Sequence, residues 1–275
     1  MTKFRVFLFF TTVFLCTLYY VLYTDVRAQT YDANKAYLDY QYSLDVYNQS
    51  NKTFVEAKDF YLTNKTLTLK EDARKKLLVM LRDRDELEVV YLAALRMKIL
   101  ETKGLTEDQK NAILLKIGTE SDWYKNHEKN YGDGDPAESL FTKSEESQAR
   151  HKNTTFPIVY ESLFTISLGQ QTSFRQDQES IYTDIRSIID KGVADGKLDM
   201  NPFNRWFTDI SLVVEQLKQN EDLSKTQIQK LYGQYDTNSG SYNTAVETLS
   251  SSIRPLTQLN NFLIEVLTSI KNQQK

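Results

Sequence analysis

Cysteine is almost absent from this chain of 275 residues: Cys16 is the only one. It lies in the first twenty-eight residues, so the body that follows has no thiol for a disulfide, a metal or a nucleophile. Glycine and proline are also scarce, nine and four, well under the roughly 12% of average usage. All four prolines (Pro136, Pro157, Pro202, Pro255) fall in the second half. Asp133-Gly134 and Asp195-Gly196 sit in polar stretches, not between alternating apolar residues as a hairpin turn requires. Few breakers beside abundant Lys, Glu, Gln, Leu and Ala predict long helices.

The missing motifs exclude several chemistries. There are two histidines, His127 and His151, and the positions three residues before them hold Tyr124 and Gln148. The Glu-x-x-His pairs of a di-iron bundle are therefore absent, as is His-Glu-x-x-His. Both histidines are expected on exposed helix faces. No Gly-x-Ser-x-Gly elbow and no Gly-x-x-x-x-Gly-Lys run occurs, so no catalytic residue and no cofactor is assigned. Paired carboxylates are too common in helical bundles to argue a glycosidase.

The chain does contain one long apolar run. Lys3 and Arg5 precede Val6–Tyr23, and Val26-Arg27-Ala28 follows. A charged start, an apolar segment and a small-residue site describe a secretory signal. Eighteen residues also suffice for a marginal spanning helix, held with its N-terminus inside by Lys3 and Arg5. Leu15 is too large to precede a lipid-modified Cys16. Residues 1–28 are thus read as a signal peptide or membrane anchor, the anchor crossing through residues 6–23 if uncleaved. Either way the body is expected outside the cytoplasm. Without residues 1–28 it has 31 basic and 36 acidic residues, a net charge of −5, with no footprint for nucleic acid. About 247 residues suffice for a core without staples.

Helical periodicity organises that body. Tyr40, Tyr47, Phe54 and Tyr61 recur every seven residues, with Tyr37 and Leu44 interleaved. This is a coiled-coil type of seam on a first helix from about Tyr31 to Thr63. Its rings are read mainly as packing, with an aromatic ligand strip as the alternative. Thr68-x-x-Glu71 is expected to cap a second helix carrying Leu77, Leu78, Leu81, Leu87, Leu92, Leu95 and Ile99, with Arg82–Glu86 a solvated charged face. It should stop at Gly104. Thr106-x-x-Gln109 is expected to cap a third helix bearing Ile113, Leu114, Ile117 and Tyr124. Gly132–Pro136 is the clearest break, either a domain boundary or a loop. Beyond it Pro157 is expected to kink or restart a helix carrying Val159, Leu163, Ile166, Phe174, Ile181, Ile185 and Ile188. Pro202 opens a helix at its favoured first turn. A short helix after Ser224 and a last one from about Thr244 to Lys271, bent at Pro255, complete the reading. The fold class is all-α: elongated antiparallel helical bundles after the signal or anchor helix. Residues 29–131 and 132–275 form two helical regions that pack separately or as one.

One spacing has metal-ligand character. Asp236-x-Asn238-x-Gly240-x-Tyr242-x-Thr244-x-x-Glu247 partly matches a twelve-residue calcium loop, with oxygen ligands from Asp236, Asn238, Thr244 and a bidentate Glu247. It departs at its sixth position, which needs glycine and holds Ser241, and at its eighth, Asn243. The plain alternative is a turn followed by a Thr244–Glu247 capping box. Asn-x-Ser/Thr triplets at Asn48, Asn51, Asn64 and Asn153 are assigned no function. The body is therefore read as an exported or membrane-tethered structural or binding protein of the cell envelope or exterior, not an enzyme. It acts on an unknown protein partner or on itself. The alternative is an extracytoplasmic sensor or ligand-binding bundle.

Overall fold

The computed structural model describes residues 31–232 and 238–273, and among these every regular element is a helix. The proposed leader and Asp236 lie outside the described residues. Ala33–Lys275 cluster as one compact unit. Among the described residues no helix is long and apolar enough to cross a membrane.

Helix α1 (Ala33–Asn64) and helix α2 (Leu67–Glu101) form an antiparallel pair. The turn between them needs a left-handed residue, Lys65, with φ 46°. That turn moves the cap. Thr66, not Thr68, accepts the Leu69 N–H, so Thr68 lies inside α2. The heptad rings of α1 are half-buried against α2, and Tyr47 and Phe54 pack on Leu77, Leu78 and Leu81. The buried residues of α1 are small ones, Ala33, Ala36 and Ala57.

Helix α3 (Glu107–Lys129) opens with the full reciprocal capping box of Thr106 and Gln109. Before it, Gly104 is left-handed at φ 77°. A Cβ there would meet the Gly169 carbonyl oxygen at 2.2 Å, and one on Gly169 would meet Thr102 at 2.5 Å. Glycine at both positions lets the α2–α3 turn lie directly on the backbone of a later helix.

The Tyr131–Pro136 stretch is a loop, tied down from two sides. Arg74 donates to the Asp135 carbonyl at 3.0 Å and Arg82 to the Tyr131 carbonyl at 2.6 Å. Lys143 and the Gly132 N–H both donate to the Asp135 carboxylate, which holds its pKa below the usual range. Helix α4 (Ala137–Arg150) then runs through a π-helical turn (His151–Thr155) into helix α5 (Phe156–Ala194). Pro157 has no N–H to give the preceding turn. The wider i→i+5 turn absorbs that loss, and the α-helix restarts at Phe156 with Pro157 in its first turn, as expected.

Helix α6 (Asn201–Ile228) begins at Pro202 as expected and runs unbroken through Ser224 into a 3-10 turn (Gln229–Tyr232). Among the described residues the short helix expected from Gln227 to Tyr235 is the end of α6 and this 3-10 turn, with no break at Ser224, whose buried hydroxyl donates to the Glu221 carbonyl at 2.8 Å. The last segment is two helices, α7 (Asn238–Ser250) and α8 (Ile253–Gln273). The break is at Ser251–Ser252, which leaves Pro255 in the first turn of α8.

Helix α5 joins two sets of cores. Its first part packs with α2 and α3 around Leu92, Ile99, Ile117 and Tyr124. Its last part packs with α6 and α8 around Ile189, Phe203, Ile210, Leu217 and Leu259. Between them Phe164 and Leu168 meet Leu231 and Leu249. Phe174, Ile181 and Ile188, expected in the core, are exposed, as are Ile253 and Leu267.

Candidate functional site

Of the four residues with calcium-ligand spacing, the three that are described, Asn238, Thr244 and Glu247, are not gathered into a loop. Asn238 opens α7, while Thr244 and Glu247 are exposed in mid-helix. The Thr244 hydroxyl donates to the Gly240 carbonyl at 2.9 Å. A calcium loop needs these residues in open, turning backbone, and a capping box needs Thr244 at a helix start. The helix from Asn238 supplies neither. Among the described residues no three His, Cys, Asp or Glu side chains converge for a metal ion.

The structure instead assembles a buried polar layer between α2, α3 and α4. Asp85, expected on a solvated face, is fully buried, and His127, expected exposed, keeps 4% of its surface. The Asp85 carboxylate accepts from His127 Nδ1 at 2.5 Å and from the Ser147 hydroxyl at 3.1 Å. Arg84 lies 3.5 Å away and also donates to Ser144 and to the Tyr131 hydroxyl. One turn along, Arg150 clamps both oxygens of buried Glu120, with contacts of 2.6 to 3.1 Å. The Thr155 hydroxyl donates to Glu120 at 2.7 Å. Its one proton is thereby used, so the Tyr124 hydroxyl donates to Thr155 at 2.9 Å. Burial, and then the Glu88 carboxylate, push the Tyr124 phenol upward; burial and then Asp85 do the same to Tyr131. His151 pairs with Glu88 at 2.9 Å.

Chemically this layer resembles a brace. Asp85 fixes the His127 tautomer, as a carboxylate does for a catalytic or metal-binding imidazole. The other nitrogen, Nε2, is buried without a hydrogen-bond partner. The Trp123 ring stacks on the imidazole at 4.6 Å, and the Arg150 guanidinium lies over Trp123 at 5.1 Å. Every charged member faces another element of the same unit, so the network cross-links three helices. Nothing in the sequence pattern signals it. The partners of Asp85 are 42 and 62 residues away.

Two outer surfaces carry large side chains that are exposed or half-exposed. One is a ribbon of half-exposed rings. Tyr40 meets Tyr91 at 5.0 Å, Tyr160 stacks on Tyr242 at 4.8 Å, Phe156 stacks on Tyr160 at 5.9 Å, and His151 meets Phe156 at 4.3 Å. The other is the face of α1 turned away from α2, where Leu38, Tyr42 and Phe60 are 62%, 72% and 64% exposed. Beside it, an open groove of about 540 Å³ runs between α1 and α2, with Val46, Gln49 and Val79 in its walls. The heptad period marked the inner face of α1; the outer one was not singled out. Comparisons with family profiles, with characterised proteins and with solved structures gave no match to this chain.

Proposed function

We propose that the chain is a non-catalytic contact protein, exported or tethered by its leader, that works through the outer face of α1. The observation that carries this reading is the exposure of Leu38, Tyr42 and Phe60 on a helix of 32 residues that packs chiefly against α2. Large apolar side chains left in water along one helix are unfavourable unless a second surface covers them. The rigid polar layer behind α2 supports the reading, because a preformed surface binds with less loss of entropy.

The test replaces the three side chains together, in Leu38→Glu, Tyr42→Glu and Phe60→Glu. Because all three are exposed, the melting temperature should stay within about 2 °C of the parent, as for surface substitutions. Immobilised parent protein should retain itself or a component of the producing cell's envelope, and the triple variant should not. Equal retention by both proteins would contradict the reading.

The ring ribbon favours a second reading, a ligand-binding bundle of the cell exterior. Rings from four helices, with Glu88 beside them, supply the apolar surface and the polar group that small-ligand sites combine.

A further inference from the structure

We infer that the partner on the outer face of α1 is a second copy of this chain, packed antiparallel across a two-fold axis at Gln49. The inference rests on the contact reading above and names its occupant. The midpoint of Ala33–Asn64 falls between Asn48 and Gln49. At 100° per residue, Leu38, Gln49 and Phe60 fall almost on one line, because eleven residues make about three turns. Leu38 and Phe60 are each eleven residues from Gln49, one on either side. A two-fold axis there pairs Leu38 of each copy with Phe60 of the other. The same operation sets the Tyr42 hydroxyl opposite the Glu56 carboxylate. It also sets Asp45 opposite Lys52, on one flank of the helix, so the charges complement twice.

Asp45, Lys52 and Glu56 are exposed and have no ion pair among the described residues. Asp39 and Asp59 fall on opposite flanks and do not confront each other. At the axis Gln49 meets Gln49 beside the groove walled by Val46 and Val79. The Gln49 layer and the charged positions beside it are polar, and polar positions in a helical seam fix register and direction.

The size of the face sets the strength. A strip about 48 Å long and about 10 Å wide is smaller than the roughly 800 Å² per partner of a standard interface. The dimer is therefore concentration-dependent, and tethering both copies to one membrane would raise its population.

The experiment uses the full chain with Cys16→Ser, which removes the only native thiol. Gln49→Cys should cross-link to a covalent dimer on mild oxidation. A thiol on the axis meets its own copy within the roughly 4.4–6.8 Å Cα separation a disulfide spans. Leu38→Cys alone should not, since its mate lies 22 residues along the pair, about 33 Å away. The double variant Leu38→Cys, Phe60→Cys should cross-link. As an independent arm, Leu38→Glu and Phe60→Lys should each sediment as monomers at concentrations where the parent dimerises, and their mixture should recover the dimer. Cross-linking of Leu38→Cys as readily as Gln49→Cys would overturn the antiparallel pairing. If no variant cross-links while envelope retention still depends on Leu38, Tyr42 and Phe60, the second copy is overturned and the contact reading survives. Loss of both overturns both.

Discussion

Replacing Arg175 by methionine should destabilise the protein by about 3–5 kcal/mol, the typical cost of leaving one member of a buried ion pair behind. Arg175 and Glu221 are 7% and 3% exposed and join α5 to α6. The guanidinium holds both oxygens of Glu221, at 2.8 and 3.1 Å, and gives its remaining nitrogen to Glu179 at 2.7 Å. Methionine fills much of the same volume but donates nothing, so the Glu221 carboxylate remains buried and unpaired. Glu179 still has Lys218 at 3.4 Å and suffers less. For a body of this size the loss corresponds to a fall in Tm of about 6–20 °C. The double variant Arg175→Met, Glu221→Leu should recover most of that loss, because an apolar pair of similar volume carries no desolvated charge. Urea unfolding of the four proteins gives the coupling directly. A double variant no more stable than the single one would show that packing, not charge, holds the pair.

The second large effect is expected at Asp85. Asp85→Leu removes the acceptor from His127 Nδ1 and from Ser147 and leaves two buried donors without partners. Each such group costs about 1–3 kcal/mol, so a total of about 2–6 kcal/mol is expected. Trp123 reports on the change, since its ring stacks on His127 at 4.6 Å. Its emission should shift in Asp85→Leu before the fold melts. Asp85→Asn retains one acceptor and should cost less than half as much. Equal losses for Asn and Leu would mean that the carboxylate charge, not its acceptor geometry, organises the layer.

These two sites also show where sequence reasoning stops. Helix content followed from local chemistry: few breakers, the Thr106–Gln109 box, Gly104 and Pro202 all act within a few residues of themselves. The heptad of Tyr40, Tyr47, Phe54 and Tyr61 located the inner face of α1 because a period of seven is a local property. Asp85 is different. In a run reading Arg-Asp-Arg-Asp-Glu it looks like any solvated acid, and only α3 and α4, arriving from far along the chain, bury it. The same holds for His127. Phe174, Ile181 and Ile188 mislead in the opposite sense, since apolar spacing does not say whether a neighbour exists to cover it. Ser224 and Ser251–Ser252 look equally able to interrupt a helix. Contacts of Ser224 with Glu221, and of Ser252 with Asn220 at 3.2 Å, decide which one does.

The claim on which the contact reading depends is that the helical body works outside the cytoplasm. Fractionation of the native cells, followed by N-terminal sequencing of the recovered chain, tests it most directly. The account predicts a body beginning at Gln29 in the medium or extracytoplasmic fraction, or the whole chain in the membrane fraction. Recovery of the whole chain, freely soluble and inside the cell, would contradict it.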